Sequence, residues 1–173
     1  MSGKSSEPAS DSIEPQAYRT LMRQQAGAVT VIAVGRPGDR TGLTATAVCS
    51  VSDSPPTLLI CVNRNASAHR KIAAEGAFSV NVLARDQEAL ALKFSGRAGL
   101  EGEARFEAAE WTTAATGAPV LKRAIASLDC ELVEEHMTAT HSIYLGRVRA
   151  GHAREDAEPL IYFRGAFCTV SGS

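Results

Sequence analysis

Hydrophobic side chains fall into short runs separated by polar or turn-forming residues, and the lengths of these runs suit strands better than helices. The β-branched run Ala28–Val34 is followed by a Pro-Gly turn at 36–39 and by a second run, Gly42–Val51. Two such runs around a tight turn predict a β-hairpin. After a turn at Ser52–Pro56, the near-continuous apolar run Thr57–Val62 predicts a strand with both faces buried.

Helical signals are fewer and shorter. One short helix is expected over Tyr18–Gln25, and another over Asn65–Glu75, which ends at a glycine in the position favoured after a helix. Asn65 or Ser67 is expected to cap the first turn of the second helix. Apolar residues recur at helical spacing in Arg85–Phe94, which predicts a short amphipathic helix.

Further strands are predicted on both sides of a glycine-rich stretch, 95–102, and an irregular one, 105–118. They are Ala77–Leu83, Ser127–His136, His141–His152, Leu160–Phe163 and Phe167–Val170. The order of strands, short helices and more strands excludes a regular βαβ array and predicts a mainly β fold, a barrel decorated by helices. Residues 1–16, rich in Ser and Pro, are expected to form a disordered tail, and 17–173 a single domain.

Composition narrows the classes of function. The chain has 173 residues, with 18 basic and 19 acidic side chains and a formal charge of −1. Near-neutral, interspersed charge and an aromatic content of 5% argue against a nucleic-acid platform. The four cysteines form no Cys-x-x-Cys pair, and neither a signal peptide nor a membrane-spanning run is found. The expected location is therefore the cytoplasm, with reduced thiols and no membrane partner.

Several catalytic motifs are missing from the sequence. There is no dinucleotide fingerprint G-x-G-x-x-G between a strand and a helix, no phosphate loop G-x-x-x-x-G-K-[ST], and no G-x-S-x-G. The histidines lack His-x-x-x-His spacing, so no metal site is predicted.

Two segments combine small and polar side chains. The first, Thr44–Ser52, either forms a polar outward strand face or lets a planar ligand approach the backbone. The second, Asn63–His69, leads from a strand into the first turn of a helix, where N–H groups serve either ordinary capping or an anion site. Together the two segments suit a flavin mononucleotide, with its ring on the first and its phosphate on the second.

A series of segments spread over residues 18–170 carries a resemblance to a known family. These segments are Gly27–Ile32, Gly42–Ser52 with Pro55-Pro56, Cys61–Ser67, Phe78–Leu83, Gln87–Gly96, Gly117–Leu121, Cys130, His141, Gly146–Val148 and Pro159–Arg164. In this order they resemble the short-chain flavin reductases, the reductase components of two-component flavin-dependent monooxygenases. The resemblance implies an FMN-binding split β-barrel and a homodimer.

The resemblance also implies roles for individual residues. Those expected to bind flavin are Thr44, Ala45, Thr46, Ala47, Ser50, Val51 and Ser52 at the ring, and Cys61, Asn63, Ser67, His69, Phe94, Ser95 and Gly96 at the ribityl chain and phosphate. His141 and Arg164 are expected to bind NAD(P)H. At His141 the family has a Gly-Asp-His triplet. This sequence has Ala139-Thr140-His141, which keeps the histidine and lacks the carboxylate. No acid or base is assigned, because the flavin supplies the reactivity.

The implied function is hydride transfer from NADH or NADPH to FMN or FAD, which supplies reduced flavin by diffusion to a partner monooxygenase. The altered triplet motivates one alternative, a flavoprotein with tightly bound flavin that reduces a metal complex, a corrinoid or another protein. A second alternative is a non-catalytic flavin- or haem-binding module on the same barrel. The resemblance leaves the choice of flavin, of nucleotide and of the oxygenase's substrate open.

Overall fold

The strands build one large antiparallel sheet and two small ones in a computed structural model that describes residues 12–107 and 109–170. The strands are Gly27–Ala28 (β1), Thr30–Val34 (β2), Thr41–Ala45 (β3), Val48–Asp53 (β4), Pro56–Asn63 (β5), Ala77–Val82 (β6), Trp111–Thr113 (β7), Pro119–Leu121 (β8), Ala126–Met137 (β9), His141–Ala153 (β10), Ile161–Phe163 (β11) and Ala166–Cys168 (β12). The helices are Pro15–Met22 (α1), Ser67–Glu75 (α2) and Glu88–Phe94 (α3), with 3₁₀ turns at Arg85–Gln87 and Gly102–Arg105. The mainly β prediction is confirmed.

The large sheet has seven strands in the order β3-β2-β6-β9-β10-β5-β4, so β3 and β4 lie at its two edges. The small sheets are β1-β11-β12 and β7-β8. The long hairpin β9–β10 contains two register shifts, one of them between Leu145 and Gly146. A Cβ on Gly146 would come within 2.5 Å of the Phe78 ring, so glycine lets the bulged strand cross that ring closely.

Strand β2 is buried on both faces, and its alternate residues enter two hydrophobic clusters. Val31 and Ala33 pack with residues of α3, whereas Ile32 and Val34 pack with residues of α2. Because successive side chains of a strand point to opposite faces, α2 and α3 pack against opposite faces of β2. The end of α3 and the start of α2 thereby come close to the adjacent edge strand, β3.

The prediction of one continuous strand over Gly42–Val51 is wrong. The chain bends at Thr46 and Ala47, and the Val48 N–H donates to the Thr46 carbonyl at 3.1 Å. Strand β3 pairs with β2, as the predicted hairpin requires, but β4 pairs with β5 at the opposite edge of the sheet. The β2 ladder ends where Thr30 faces Ala45, so the next residues are free to turn the corner.

The prediction that β5 is buried on both faces is also wrong. Leu58, Ile60 and Val62 are buried, but Leu59 and Cys61 are only partly covered. The reason is that β5 lies between β4 and β10 in an antiparallel sheet, where one face can remain open, rather than in a parallel sheet covered on both sides.

The helix predicted over Tyr18–Gln25 is present as α1, but it begins and ends about three residues earlier, at Pro15 and Met22. The tail prediction for residues 1–11 lies outside the described residues. The helix predicted over Arg85–Phe94 begins as a 3₁₀ turn, where the Gln87 side chain accepts the Ala84 N–H at 2.8 Å.

The stretch 105–118, expected to be irregular, contains β7. This strand pairs with β8, which the pattern did not predict. Trp111 of β7 packs against Phe106 and Phe94, with ring centroids 4.8 Å and 5.8 Å away. Aromatic packing across the chain, rather than local alternation, therefore orders this segment.

Candidate functional site

Three adjoining cavities follow the chain from the start of β3 to the bend before β4. A basic pocket of about 660 Å³ lies at residues 41–43, and a groove of about 280 Å³ lies at 44–46. A cleft of about 780 Å³ lies at 46–48. Ser95 lines both the basic pocket and the groove, and Thr46 lines both the groove and the cleft. The cavities thus form one continuous path along β3.

Positive charge dominates the basic pocket. Its charged lining residues are Arg40, Arg70, Lys71 and Arg105 against Asp39 and Glu101. Arg40 is paired with Glu103, and Lys71 with Asp39. Within the described residues, neither Arg70 nor Arg105 has a carboxylate partner. The pocket therefore carries uncompensated positive charge that suits an anion.

Arg105 is held in a fixed orientation. Its Nε donates to the Leu100 carbonyl and its Nη1 to the Gly42 carbonyl, both at 2.7 Å. Close by, Arg40 Nε donates to Glu103 Oε1 at 2.8 Å, and this hydrogen bond lowers the pKa of the Glu103 carboxyl. A guanidinium already positioned by carbonyl groups loses little freedom when it binds a phosphate.

The first turn of α2 opens into the basic pocket. Its N-cap is Ala66, so the prediction of Asn65 or Ser67 as the cap is wrong, and no side chain caps the helix. The Ser67 hydroxyl is instead hydrogen-bonded to that of Thr41 at 2.8 Å. Asn65 donates its backbone N–H to the Asn63 side chain at 2.8 Å. An uncapped helix start presents N–H groups and a partial positive charge to an anion.

The β3 side of the groove is lined by small residues, whereas its remaining lining includes the larger Leu92, Arg97, Tyr162 and Phe167. The Thr44 hydroxyl donates to the Ala91 carbonyl at 2.6 Å and ties β3 to α3. The Thr30 hydroxyl donates to the Ala45 carbonyl at 2.7 Å. Both hydroxyls are held by main-chain carbonyls, and the side chains that β3 and the following bend contribute to the groove, those of Thr44, Ala45 and Thr46, are small. A flat ring can therefore lie close to the strand.

The predicted flavin residues divide among these cavities. Thr44, Ala45, Thr46 and Ser95 line the groove, and Ser67, Phe94, Ser95 and Gly96 line the basic pocket. Thr46, Ala47 and Cys61 line the cleft, together with Arg164. The fold thus brings together segments that are distant in the sequence. These assignments as binding residues remain predictions.

Asn63 and His69 line a further cavity, of about 690 Å³, that adjoins the basic pocket and shares Asn65, Ala66, Ser67 and Arg70 with it. His69 Nε2 lies 2.8 Å from the Ser142 hydroxyl and 3.4 Å from a Glu135 carboxylate oxygen. The Tyr144 hydroxyl donates to the His69 carbonyl at 2.9 Å, and burial with the nearby Glu135 raises the pKa of Tyr144 to about 12. The His69 ring is therefore directed toward β9 and β10.

Ser50, Val51 and Ser52 lie farther along β4 and line none of these four cavities. His141 also lies outside them, directly opposite Asn63 in the β5–β10 ladder, with its Nδ1 2.9 Å from the Thr140 hydroxyl. Because side chains alternate, His141 is on the same sheet face as Cys61, two residues farther along the ladder.

Of the arginines of the basic pocket, the sequence indicated only Arg70, which follows Ser67 by three residues at the predicted anion site. Arg40 and Arg105 gave no such signal, because each reaches the pocket through contacts 63 residues apart in the sequence.

The donor set fits a flavin mononucleotide. Two arginines without carboxylate partners, a serine hydroxyl and an uncapped helix start suit a phosphate, and the adjoining groove suits a planar ring. In the described part of the chain, no group of His, Cys, Asp and Glu side chains is arranged to hold a metal ion. Among the same residues, no helix has the length and apolar character needed to cross a membrane.

Comparison with known proteins points the same way. Residues 22–171 match the family described as "Flavin reductase like domain". The "FMN reductase (NADH) RutF" of Ancylobacter novellus is 41% identical over 172 residues, 99% of this chain and 92% of that protein.

Two solved structures share the fold. BorF, the flavin reductase component of a bacterial two-component tryptophan halogenase, superimposes with a TM-score of 0.84 at 31% identity, over 92% of this chain and 100% of that one. The NADH:FAD oxidoreductase SgcE6 of Streptomyces globisporus gives 0.83 at 29% identity, over 95% and 100%. The fold expected from the sequence resemblance is thus confirmed.

Proposed function

Because the chain belongs to the flavin reductase like domain family, we propose that it transfers a hydride from NADH to FMN and passes the reduced flavin to a partner enzyme. The observation that carries this proposal is the continuous path of basic pocket, groove and cleft along β3. At roughly 3.3 Å per residue, the seven residues 41–47 extend over roughly 20 Å. That length accommodates a phosphate at one end and a ring with a second reactant at the other.

In this arrangement Arg70, Arg105 and the start of α2 bind the FMN phosphate. Arg105 is already positioned by two carbonyl groups, and the Ser67 hydroxyl is positioned by Thr41. Such prior ordering reduces the entropy lost on binding. Phosphate binding at this end fixes how far the ring reaches along β3.

Thr44, Ala45 and Thr46 hold the ring against the strand. Flavin, when bound, supplies the acceptor for the hydride of the reduced nicotinamide. The task of this chain is to align the two rings, which converts an encounter in solution into an oriented complex. The small residues at the bend, Thr46 and Ala47, are exposed and leave room above the ring for the nicotinamide, which enters from the cleft.

The preference for FMN and NADH follows from the relative of 41% identity, whose name specifies both. SgcE6 is named for NADH and FAD, so FAD is the second flavin to be tested. BorF serves a halogenase, and by analogy the partner here is an oxygen-using flavoenzyme such as a monooxygenase. Groove and cleft are open to solvent at Thr46 and Ala47, which suits a flavin that enters and leaves.

A homodimer is part of the proposal. Leu59, Ile143 and Leu145 leave part of their surface uncovered on the outer face of β5 and β10, and Val133 is 50% exposed at the bulge in β9. A second copy on this face would bury these side chains and stand over the cleft side of the sheet. The four free cysteines suit a reducing compartment, which supports the cytoplasm as the location.

The test is a matrix of activities with purified protein. NADH and NADPH are each combined with FMN and FAD, and nucleotide oxidation is followed in the spectrophotometer. The expected result is oxidation that requires added flavin, with the largest kcat/KM for NADH with FMN. Oxidation in none of the four combinations would refute the proposal. Coloured flavin that stays with the protein through gel filtration would favour the tightly bound alternative.

A further inference from the structure

The cleft carries more positive charge than Arg164 alone, the residue already expected to bind NAD(P)H, would supply. Its charged lining residues are Arg19, Arg23 and Arg164, and no carboxylate lines it. Arg19 and Arg23 come from α1 and its C-cap, and Arg164 comes from the turn between β11 and β12. Three guanidinium groups from two separate parts of the chain thus face one cavity.

The partners of these arginines within the described residues are neutral. Arg19 donates to the Gln16 side chain at 3.0 Å, and Arg164 Nε donates to the Gln24 side chain at 2.9 Å. The guanidinium of Arg23 has neither a hydrogen bond nor an ion pair in the described part of the chain. Amide oxygens orient an arginine without neutralising it, so the cluster keeps its charge for a ligand.

The spacing of Arg19 and Arg23 is itself unfavourable for the isolated helix. Like charges four residues apart on a helix repel each other. The first turn of α1 holds no acidic residue that would offset them. An anion bound between these side chains would attract both of them and offset their mutual repulsion.

We propose that Arg19 and Arg23 join Arg164, already expected to bind NAD(P)H, in binding the diphosphate of the reduced nicotinamide dinucleotide. This inference rests on the proposed function and adds the part of the site that holds the non-reacting half of the co-substrate. The flavin phosphate has its own basic pocket at the other end of β3, so the cleft is left for the second reactant. Guanidinium groups match phosphate oxygens in geometry.

The exposure of the three arginines fits a co-substrate that must leave after each turnover. All three are exposed, so their attraction is partly screened by salt. Binding by this cluster should therefore be moderate and sensitive to ionic strength. The cleft is also large, about 780 Å³, which accommodates more than a nicotinamide ring.

The experiment compares the wild type with Arg23→Gln and with the double variant Arg19→Gln/Arg23→Gln. Arg85→Gln is the matched control, because Arg85 is an exposed arginine paired only with Glu158 on the surface. KM for NADH is measured at saturating FMN, and kcat/KM is also measured with dihydronicotinamide riboside, which lacks phosphate. Circular dichroism and thermal unfolding establish that each variant is folded.

In the double variant, KM for NADH should rise about tenfold or more, the effect of losing one charge-assisted hydrogen bond. The salt dependence of KM for NADH should weaken. The values of kcat, KM for FMN and turnover of the riboside should stay close to those of the wild type. Arg23→Lys should recover part of the affinity, because the charge remains. An unchanged KM for NADH would overturn the inference.

Two other outcomes would also overturn it. An equal loss with the riboside would show that the arginines act on the ring rather than on the diphosphate. A rise in KM for FAD alone would assign the cluster to the flavin dinucleotide. Should the wild type fail to reduce any flavin, the proposed function fails, whereas direct binding of NADH to wild type and double variant, measured by fluorescence, still decides the inference.

Discussion

His141 lies in surroundings that differ from those expected from the sequence resemblance. It was identified by resemblance, and in the structure it lies outside the path along β3, opposite Asn63. Its ring is exposed, and its Nδ1 lies 2.9 Å from the hydroxyl of Thr140. Thr140 stands at the position where the resemblance implies an aspartate. A hydroxyl orients the imidazole without adding charge, so its role should be in contact with the nucleotide and not in proton transfer.

The first prediction concerns the variant His141→Ala. Loss of one hydrogen bond to the nucleotide should raise KM for NADH about three- to tenfold, with the Kd for FMN nearly unchanged. Steady-state kinetics and a fluorescence titration with FMN measure the two effects. His152→Ala, an exposed histidine near the other end of β10, is the control. Equal weakening of FMN and NADH binding would contradict the separation of roles.

The second prediction concerns the cysteines. Burial, with a contribution from the nearby Asp129 charge, raises the pKa of the Cys130 thiol to about 12. Its reactive thiolate is therefore almost absent near pH 8, and alkylation should leave Cys130 unmodified in the folded protein while the exposed Cys168 reacts. Mass spectrometry of peptides after brief alkylation measures this. Labelling of both cysteines at the same rate in native protein would be inconsistent with the packing of β9.

At the scale of elements, the 3₁₀ turn Gly102–Arg105 holds the basic pocket together. Glu103 reaches the start of β3, where it accepts both the Arg40 backbone N–H at 3.0 Å and the Arg40 side chain. Arg105 of the same turn donates to Gly42 of β3. The pocket is thus shaped by a short 3₁₀ turn that is joined to the edge strand β3 through these hydrogen bonds.

The third prediction follows from the lowered pKa of Glu103. Because the folded-state pKa lies below the unfolded one, the ionised carboxylate stabilises the protein above the unfolded pKa, and this is lost as pH falls through the folded pKa. Glu103→Gln should therefore reduce the free energy of unfolding at pH 7 by about 0.2–1 kcal/mol, since the pair is partly exposed. The deficit should vanish in acid.

Urea denaturation from neutral to acid pH measures this effect. Glu110→Gln, which removes the partner of an exposed pair with Lys122, is the control and should show little change at any pH. A Glu103→Gln deficit that is the same at neutral and acid pH would mean that packing, and not the ion pair, links the turn to β3.

The elements also show what the sequence can predict. The β2–β3 hairpin and the glycine that ends α2 were found because their signals are local: a β-branched run with a Pro-Gly turn, and a residue at φ 64° after a helix. The bend at Thr46 and Ala47 was missed, because small residues are compatible with both a strand and a corner. The end of the pairing between β2 and β3 determines where the chain turns.

Prediction of the candidate flavin site from the sequence was likewise limited to local signals. The sequence predicted the small-residue wall and the start of α2, each within one segment. It could not predict Arg105, whose role depends on a carbonyl of Gly42. Buried Asn81 shows the same dependence, since its side-chain oxygen accepts from Leu121 N–H and from the Ser127 hydroxyl, at 2.8 and 2.9 Å. Such contacts exist only after the sheet has formed.

At the scale of the whole molecule, the sheet presents an open face on β5 and β10. Leu59 and Leu145 face each other there, with Glu134 next in the row. Because this face borders the cleft through Leu59, dimer formation and nucleotide binding would share one surface.

The fourth prediction concerns assembly. Leu145→Glu places a charge on the proposed dimer face and should shift the protein from dimer to monomer in light scattering coupled to gel filtration. Ala73→Glu, on the exposed side of α2, should leave the mass unchanged. A Leu145→Glu protein with the mass of the wild-type dimer would place the interface on another surface.

Anaerobic mixing of purified protein with FMN and NADH shows whether the path along β3 brings a reduced nicotinamide to a bound flavin. Without oxygen to reoxidise it, the flavin should lose its colour at the rate of NADH oxidation, with one FMN reduced for each NADH consumed. Mixing without protein sets the background. Flavin reduction no faster than this background, while the protein binds both molecules, would contradict the proposed hydride transfer.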